Sequence, residues 1–196
     1  LQHLVGSQIA CKSNVIPTWF DLLFDGLAKE ASNIPATIQS VHNKLTLYTY
    51  SMLVLFTGHR PTADPFEPLD CIDLERGLIL IFDKECRSVE ASRILPLPQL
   101  AITQIRFYLR WLKDVVRYLA DVMSSKDLGA INKAIDEDSG EPFLLYWNES
   151  SLVPLTINKV KENHYKKLFK LPANWSRHFM RDYLKEQGAP GYLIDI

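Results

Sequence analysis

Apolar residues recur along the chain at two different spacings, which predicts a mixture of helices and strands. A spacing of three to four residues predicts two long helices, over Ala36–Phe56 and Gln99–Val122. Apolar residues are nearly continuous in the second half of the first helix, so that half is expected to be buried. Gly58 follows it, at a position where glycine commonly ends a helix.

Two short runs rich in branched apolar residues predict a strand pair, Leu78–Phe82 and Arg93–Leu97, joined by a charged connection. The other predicted elements are an extended segment and two helices, at Pro142–Trp147, Ile157–Leu168 and Pro172–Gln187. Thr156 is a suitable N-cap for the first of these two helices. The predicted fold is mainly α with a small antiparallel β-sheet, in the α+β class.

The length of 196 residues predicts one domain, or one domain with an N-terminal appendage, and an apolar content of 47% is ample for its core. Residues 1–33 are predicted to form a helical segment or linker, because an apolar helical run after Pro17 is broken at Ser32–Pro35. Residues 34–196 are predicted to form the main domain. Because the chain begins on leucine, we expect it to be a fragment.

Charge is distributed unevenly along a chain whose net charge is only −1. This net charge does not indicate a nucleic-acid-binding protein. The acidic stretch Asp127–Glu141 is interpreted as a solvated face. A basic stretch between Ile157 and Lys185 fits DNA contact and a solvated face equally well. Its candidate DNA-binding residues are Lys159, Lys161, Lys166, Lys167 and Arg181.

The three cysteines, Cys11, Cys71 and Cys86, have neither a paired spacing nor a metal-ligand pattern. They are interpreted as thiols of a reducing compartment. Leu1–Ser7 does not have the pattern of a signal peptide, and the longest apolar runs are far shorter than a membrane span. We therefore expect a cytoplasmic protein without a metal, a cofactor or a membrane contact.

Two arginine motifs and a lysine between them are the candidate chemical groups. Thr57-Gly58-His59-Arg60-Pro61 follows the first long helix, and Asn174-Trp175-Ser176-Arg177-His178-Phe179 opens the last one. Lys84 lies in the connection between the two predicted strands. In this order, these pieces resemble the catalytic domain of the tyrosine recombinase, or phage integrase, family over residues 34–196.

The resemblance implies site-specific DNA recombination through a phosphotyrosyl intermediate. Arg60 and Arg177 would clamp the scissile phosphate, because each guanidinium presents a planar, permanently charged fork to two oxygens. Lys84, or Arg87 as the alternative, would protonate the leaving sugar oxygen. Asn174 would support the phosphate, and no metal is required.

The chain departs from the family pattern at two positions. Ala63 stands where the family usually has an acidic residue, with Asp64 next to it, and Asn174 stands in place of a histidine. The family's last histidine box and nucleophilic tyrosine are expected beyond Ile196, so Tyr183 and Tyr192 are not taken as nucleophiles.

The implied partners are a double-stranded DNA site and further copies of the chain. Two other hypotheses stand beside the recombinase. One is a catalytically inactive DNA-binding protein of the same fold, which the departures at Ala63 and Asn174 favour slightly. The other is an unrelated α-helical interaction domain in which both arginine motifs occur by chance.

Overall fold

The structure is a computed structural model, and it describes residues 36–59, 65–82, 92–149, 151–162, 178, 181–182 and 185–188. These residues form helices and two small antiparallel sheets, which confirms the α+β class. The elements in chain order are α1 (Ala36–Thr57), β1 (Ile72–Asp73), β2 (Leu78–Phe82), β3 (Ser92–Pro96), α2 (Gln99–Leu119), α3 (Ser125–Ile135), β4 (Leu145–Asn148), β5 (Ser151–Pro154) and α4 (Ile157–Val160).

The two long helices α1 and α2 pack against each other in opposite directions. Gln104 donates a hydrogen bond to Thr49 at 2.9 Å, and further along the pair Trp111 donates to His42 at 3.0 Å. The large apolar side chains of α2 recur at helical spacing and therefore lie on one face of the helix. This face is buried against the rest of the protein. The fully buried members of that face include Ile105, Tyr108, Trp111, Leu112 and Val115.

The first sheet has the strand order β1-β2-β3 and is antiparallel throughout. Ile79 and Ile81 of β2 are fully buried, while the alternate positions of that strand are half-buried. In the register of β2 and β3, Ile79 lies opposite Leu95 and Phe82 lies opposite Ser92. One face of this sheet therefore contributes to the core.

The turn between β1 and β2 requires a glycine. The Asp73 carboxylate accepts hydrogen bonds from the backbone N–H groups of Glu75 and Arg76, at 3.0 and 2.8 Å. Gly77 then adopts a φ of +66°, which side-chain-bearing residues rarely adopt. A Cβ at this position would also lie 2.9 Å from Ile102 Cδ1, so the turn packs directly against α2.

The second sheet is the hairpin of β4 and β5, and α3 packs beside it. Ser124 is the N-cap of α3, because its Oγ accepts from the Asp127 backbone N–H at 3.1 Å. The Asp127 carboxylate accepts from Ser124 Oγ at 2.7 Å and from the Leu152 backbone N–H at 2.8 Å. One buried carboxylate thus joins the start of α3 to β5.

Asp127 corrects the interpretation of the acidic stretch as a solvated face. It is only 3% exposed and is fully hydrogen-bonded. The solvated-face interpretation is confirmed for the acidic residues after α3. These exposed residues are Asp136, Glu137, Asp138 and Glu141.

The predicted long helices and strands are confirmed, with small differences at their ends. Helix α2 ends at Leu119 instead of Val122, while α4 begins at Ile157 with Thr156 as its N-cap, as predicted. Helix α3 and strands β1 and β5 were not predicted. Residues 178, 181–182 and 185–186 are helical, within the predicted last helix, whereas the predicted segment 1–33 lies outside the described residues.

Candidate functional site

The C-terminal end of α1 has a defined geometry immediately before Arg60. Thr57 is buried, and its hydroxyl donates to Leu53 O at 2.7 Å and accepts from the His59 backbone N–H at 3.2 Å. Gly58 has a φ of +59°, a conformation that lets the chain leave a helix and that favours glycine. The Thr-Gly pair of the first arginine motif therefore turns the chain out of α1.

The chain after Arg60 contacts both the residue before it and the end of β2. The His59 ring is 2% exposed and packs edge-on against the Phe66 ring, with 5.5 Å between the ring centroids. The next residue, Glu67, is buried, and its Oε1 accepts from the Phe82 backbone N–H at 2.9 Å. Phe82 precedes Lys84 by two residues, so the segments that flank Arg60 and Lys84 come together.

The strand register defines the kind of connection that contains Lys84. Phe82 and Ser92 are paired, so residues 83–91 join two hydrogen-bonded antiparallel strands. Lys84 and its alternative Arg87 fall in this interval of the sequence. The predicted strand pair is confirmed, and the catalytic lysine between the strands stays a prediction.

The predicted catalytic side chains lie outside the described residues. These are Arg60, Lys84, Asn174 and Arg177, together with Ala63, Asp64 and Arg87, which bear on their assignment. Lys166 and Lys167 of the basic stretch also lie outside. His178, directly after the second arginine, is helical and exposed.

The described residues of the basic stretch are at the surface, and two of them have local partners. Lys159 Nζ donates to Asn148 Oδ1 at 3.0 Å and lies 6.0 Å from the centre of the Tyr146 ring. Lys161 is exposed. The Arg181 guanidinium donates to Asp182 Oδ1 at 3.2 and 3.3 Å, and its side chain remains 51% exposed.

A buried polar network, not predicted from the sequence, joins α1, α2 and β4. His42 Nε2 donates to Leu145 O at 3.0 Å, while His42 Nδ1 accepts from Trp111 Nε1 at 3.0 Å. Because the indole nitrogen can only donate, the His42 ring is neutral and carries its proton on Nε2. Thr46 Oγ1 also donates to Leu145 O, at 2.8 Å, and Tyr108 Oη accepts from Leu145 N at 2.9 Å.

Asn43 extends this network along the same edge of β4. Its side-chain amide donates to Trp147 O at 3.0 Å and accepts from Trp147 N at 2.7 Å. The edge of β4 that faces away from β5 is therefore hydrogen-bonded to side chains of the two long helices. This arrangement protects an edge strand from pairing with another chain.

Burial shifts the ionisation of the two titratable groups in the network. Burial lowers the pKa of His42 to about 4, and the hydrogen bond to Leu145 O raises this pKa by a smaller amount. Burial also raises the pKa of Tyr108 to about 12. Both side chains have no solvent exposure, so they hold the fold together and do not face a substrate.

The His42 shift predicts a loss of stability in mild acid. The unfolded chain binds a proton near pH 6.5 and the folded chain only near pH 4, so stability is complete above pH 6.5 and falls as the pH drops through this window. Between pH 7.5 and 5 we expect the free energy of unfolding to fall by about 2 kcal/mol from this residue. Urea denaturation at the two pH values measures the change.

A His42→Gln variant is the control for this prediction, because its amide keeps a donor and an acceptor but does not titrate. The variant should be less stable at pH 7.5 and should lose about 2 kcal/mol less than the wild type on acidification. An equal loss in both proteins would show that His42 is not the titrating group.

Two further classes of site receive no support from the described part of the chain. Within it, no three residues among histidine, cysteine, aspartate and glutamate are grouped so that they could hold a metal ion. The helices described in residues 36–162 include none that is both long and apolar enough to cross a bilayer.

The chain matches no protein-family model, no curated protein and no solved structure. The tyrosine recombinase assignment is therefore made as a proposal. It rests on the sequence motifs and on the contacts of the described segments next to Arg60 and Lys84.

Proposed function

We propose that this chain is a tyrosine recombinase catalytic domain that cuts and rejoins DNA. The observation that carries the proposal is the hydrogen bond from the Phe82 backbone to the Glu67 carboxylate. It brings the chain after Arg60 to the strand that leads to Lys84. In a phosphodiester site, an arginine and a lysine that are distant in sequence must be brought close together by contacts of this kind.

Each motif residue has a distinct role in the proposed reaction. The phenol of a tyrosine gives its proton to water and its oxygen attacks the phosphorus, while the bond from phosphorus to the leaving sugar oxygen breaks. Arg60 and Arg177 stabilise the extra negative charge on the non-bridging oxygens, and Asn174 donates a hydrogen bond to one of them. Lys84 gives a proton to the departing oxygen, and the reverse reaction rejoins the strand.

Hydrogen-bonded elements lie next to two of these residues, Arg60 and Lys84. Gly58 and the buried Thr57 set the direction of the chain before Arg60. The β2–β3 pairing supports both ends of the connection that contains Lys84. A transition-state clamp needs such support, because its donors must be in place before the reaction.

A second candidate function is DNA binding without catalysis by a protein of the same fold. Asn174 favours it, since an amide cannot exchange a proton where the family has a histidine. Ala63 favours it as well, since the acid that orients the first arginine is displaced or lost. Both candidates share the DNA contact, and they differ in the covalent step.

The DNA contact predicts a strong dependence of binding on salt. Contacts between basic side chains and phosphates release counterions, and each contact changes the slope of log K against log[salt] by about 0.9. Replacing Lys159, Lys161 and Arg181 with glutamine should therefore lower the steepness of this slope by up to about 2.7. Fluorescence anisotropy of a labelled duplex at several salt concentrations measures it.

A basic control variant, K44Q/K126Q/K133Q, removes the same charge from exposed positions elsewhere. It should keep a slope close to that of the wild type. If the two variants weaken binding equally, overall charge and not the basic stretch accounts for the DNA contact.

A further inference from the structure

The outer face of helix α2 carries an unbroken row of basic side chains. Arg106, Arg110, Lys113 and Arg117 are all exposed and follow one another at intervals of four, three and four residues. This spacing keeps them on one side of the helix, over a length of about 16 Å. We call these four residues the α2 basic row.

The α2 basic row concentrates positive charge in a chain that is otherwise acidic. Helix α2 has four basic residues and one acidic residue, Asp114, whereas the whole chain has a net charge of −1. Asp114 is half-buried, and the next acid, Asp121, lies beyond the end of the helix. A basic row on a helix is often a solvated face, so a binding role needs further support.

The charged groups of the row are available to a ligand. Among the described residues, Arg110 and Lys113 have no hydrogen-bond or ion-pair partner within the protein. The Arg117 guanidinium lies 5.2 Å from the centre of the neighbouring Tyr118 ring, which leaves its donors open. Arg106 donates to Leu74 O at 3.0 Å, so this end of the row is tied to the β1–β2 turn.

The composition of the row favours a polyphosphate over a protein partner. Three of its four members are arginines, whose planar fork binds two phosphate oxygens at once. Protein interfaces have an apolar, often aromatic centre, around which arginines contribute. The large apolar side chains of α2 point into the core, and within the described residues Ile94 of β3 is the large apolar side chain with high exposure.

The row lies apart from the end of α1 that leads to Arg60. Helices α1 and α2 are antiparallel, with Thr49 opposite Gln104 and His42 opposite Trp111. From Arg106 to Arg117 the row therefore runs away from Gly58 and toward the N-terminal end of α1. It faces solvent on the side of α2 opposite to its buried face.

We propose that the α2 basic row binds the phosphate backbone of duplex DNA, as a contact surface additional to the basic stretch at residues 157–185. This inference rests on the proposed function only for the choice of DNA as the polyanion. The row would bind without regard to base sequence, because phosphate contacts position a protein and do not read bases.

The test compares duplex DNA binding by the wild type, the variant R110Q/K113Q/R117Q and the control variant K44Q/K126Q/K133Q. Glutamine keeps a high helix propensity, and Arg106 is left in place because it contacts the β1–β2 turn. Anisotropy titrations run from 50 to 250 mM salt, and far-UV circular dichroism verifies the helix content. The steepness of log K against log[salt] should fall by about 2 to 3 in the α2 variant and by less than about 1 in the control.

Four outcomes separate this inference from the proposed function. A slope that falls in the α2 variant alone supports the row as a DNA-binding surface. An unchanged slope in the α2 variant overturns the inference. If K159Q/K161Q/R181Q weakens binding in the same experiment, the basic stretch at residues 157–185 is still a DNA-binding surface and the proposed function is unaffected. Equal losses in the α2 and control variants overturn the inference as well. A wild type that binds no duplex at 50 mM salt but self-associates through the row overturns both.

Discussion

Replacing Trp111 with alanine should lower the free energy of unfolding by about 3–5 kcal/mol. Trp111 is 1% exposed between α1 and α2, so the substitution leaves a large cavity in the core. It also removes the hydrogen bond to His42 Nδ1, which then remains buried without its donor. Alanine has the highest helix propensity, so the loss does not come from the helix itself.

Two further substitutions separate packing from hydrogen bonding in this prediction. Trp111→Phe keeps most of the ring but removes the indole N–H, and it should cost about 1–3 kcal/mol. Arg110→Ala, on the exposed side of the same helix, should change stability by no more than about 0.5 kcal/mol. Urea denaturation with matched slopes measures all three, and a loss below about 1.5 kcal/mol for Trp111→Ala would contradict the central place of this side chain.

Replacing Arg177 with alanine should lower the rate of DNA cleavage in the complete natural protein by about 10²–10³-fold. Under the proposed function, the change removes a donor that would act on the charge developing in the transition state, while DNA binding would be shared with other basic residues. Cleavage should thus fall far more than affinity. Arg177→Lys should restore part of the rate, since an ammonium keeps the charge but lacks the two-pronged geometry.

Single-turnover cleavage and equilibrium binding, measured on the same duplex, test this separation. Lys44→Ala is the matched control, because Lys44 is an exposed basic residue of α1 outside the proposed site. Cleavage by Arg177→Ala within a few-fold of the wild-type rate would remove Arg177 from the proposed clamp.

The long helices and the central strands could be predicted because each has a local pattern. Helix α2 repeats its apolar residues at helical spacing, and β2 is a run of five apolar residues with strong β propensity. The glycine after α1 also marked the end of that helix correctly. In these elements the local preference and the tertiary packing agree.

The missed elements have weak or short local patterns. Helix α3 is polar and contains Gly129, although Ser124 and Asp127 have the three-residue spacing of a capping box. Strand β1 has two residues, and β5 has four and ends on a proline. Such segments acquire their structure from the elements against which they pack.

The buried network could not be predicted because its partners are distant in sequence. His42 and Leu145 are separated by 103 residues, and Asp127 and Leu152 by 25. One local sign was present, since His42, Thr46 and Thr49 recur on the buried face of a largely apolar helix. Polar residues at such positions indicate hydrogen-bond partners elsewhere in the chain.

For the candidate site, the sequence suggested candidate residues, and the structure adds a contact between the segments next to Arg60 and Lys84. The contact of Glu67 with the end of β2 has no motif of its own, because Glu67 lies seven residues after Arg60 in a proline-rich segment. The Glu67 carboxylate accepts from a backbone N–H group, and the position of that group cannot be predicted from the sequence. The Phe66–His59 contact likewise depends on the path of the chain.

Covalent trapping tests the central claim most directly. The complete natural protein would be incubated with duplexes taken from the DNA around its own gene. Each duplex carries a nick near the cleavage position, so that a cleaved strand cannot be rejoined. The recombinase account predicts a protein–DNA adduct that survives denaturation, maps to a tyrosine and is strongly reduced by Arg60→Ala and by Arg177→Ala. Binding of these duplexes without any adduct, or an adduct that both arginine variants form at the wild-type level, would contradict it.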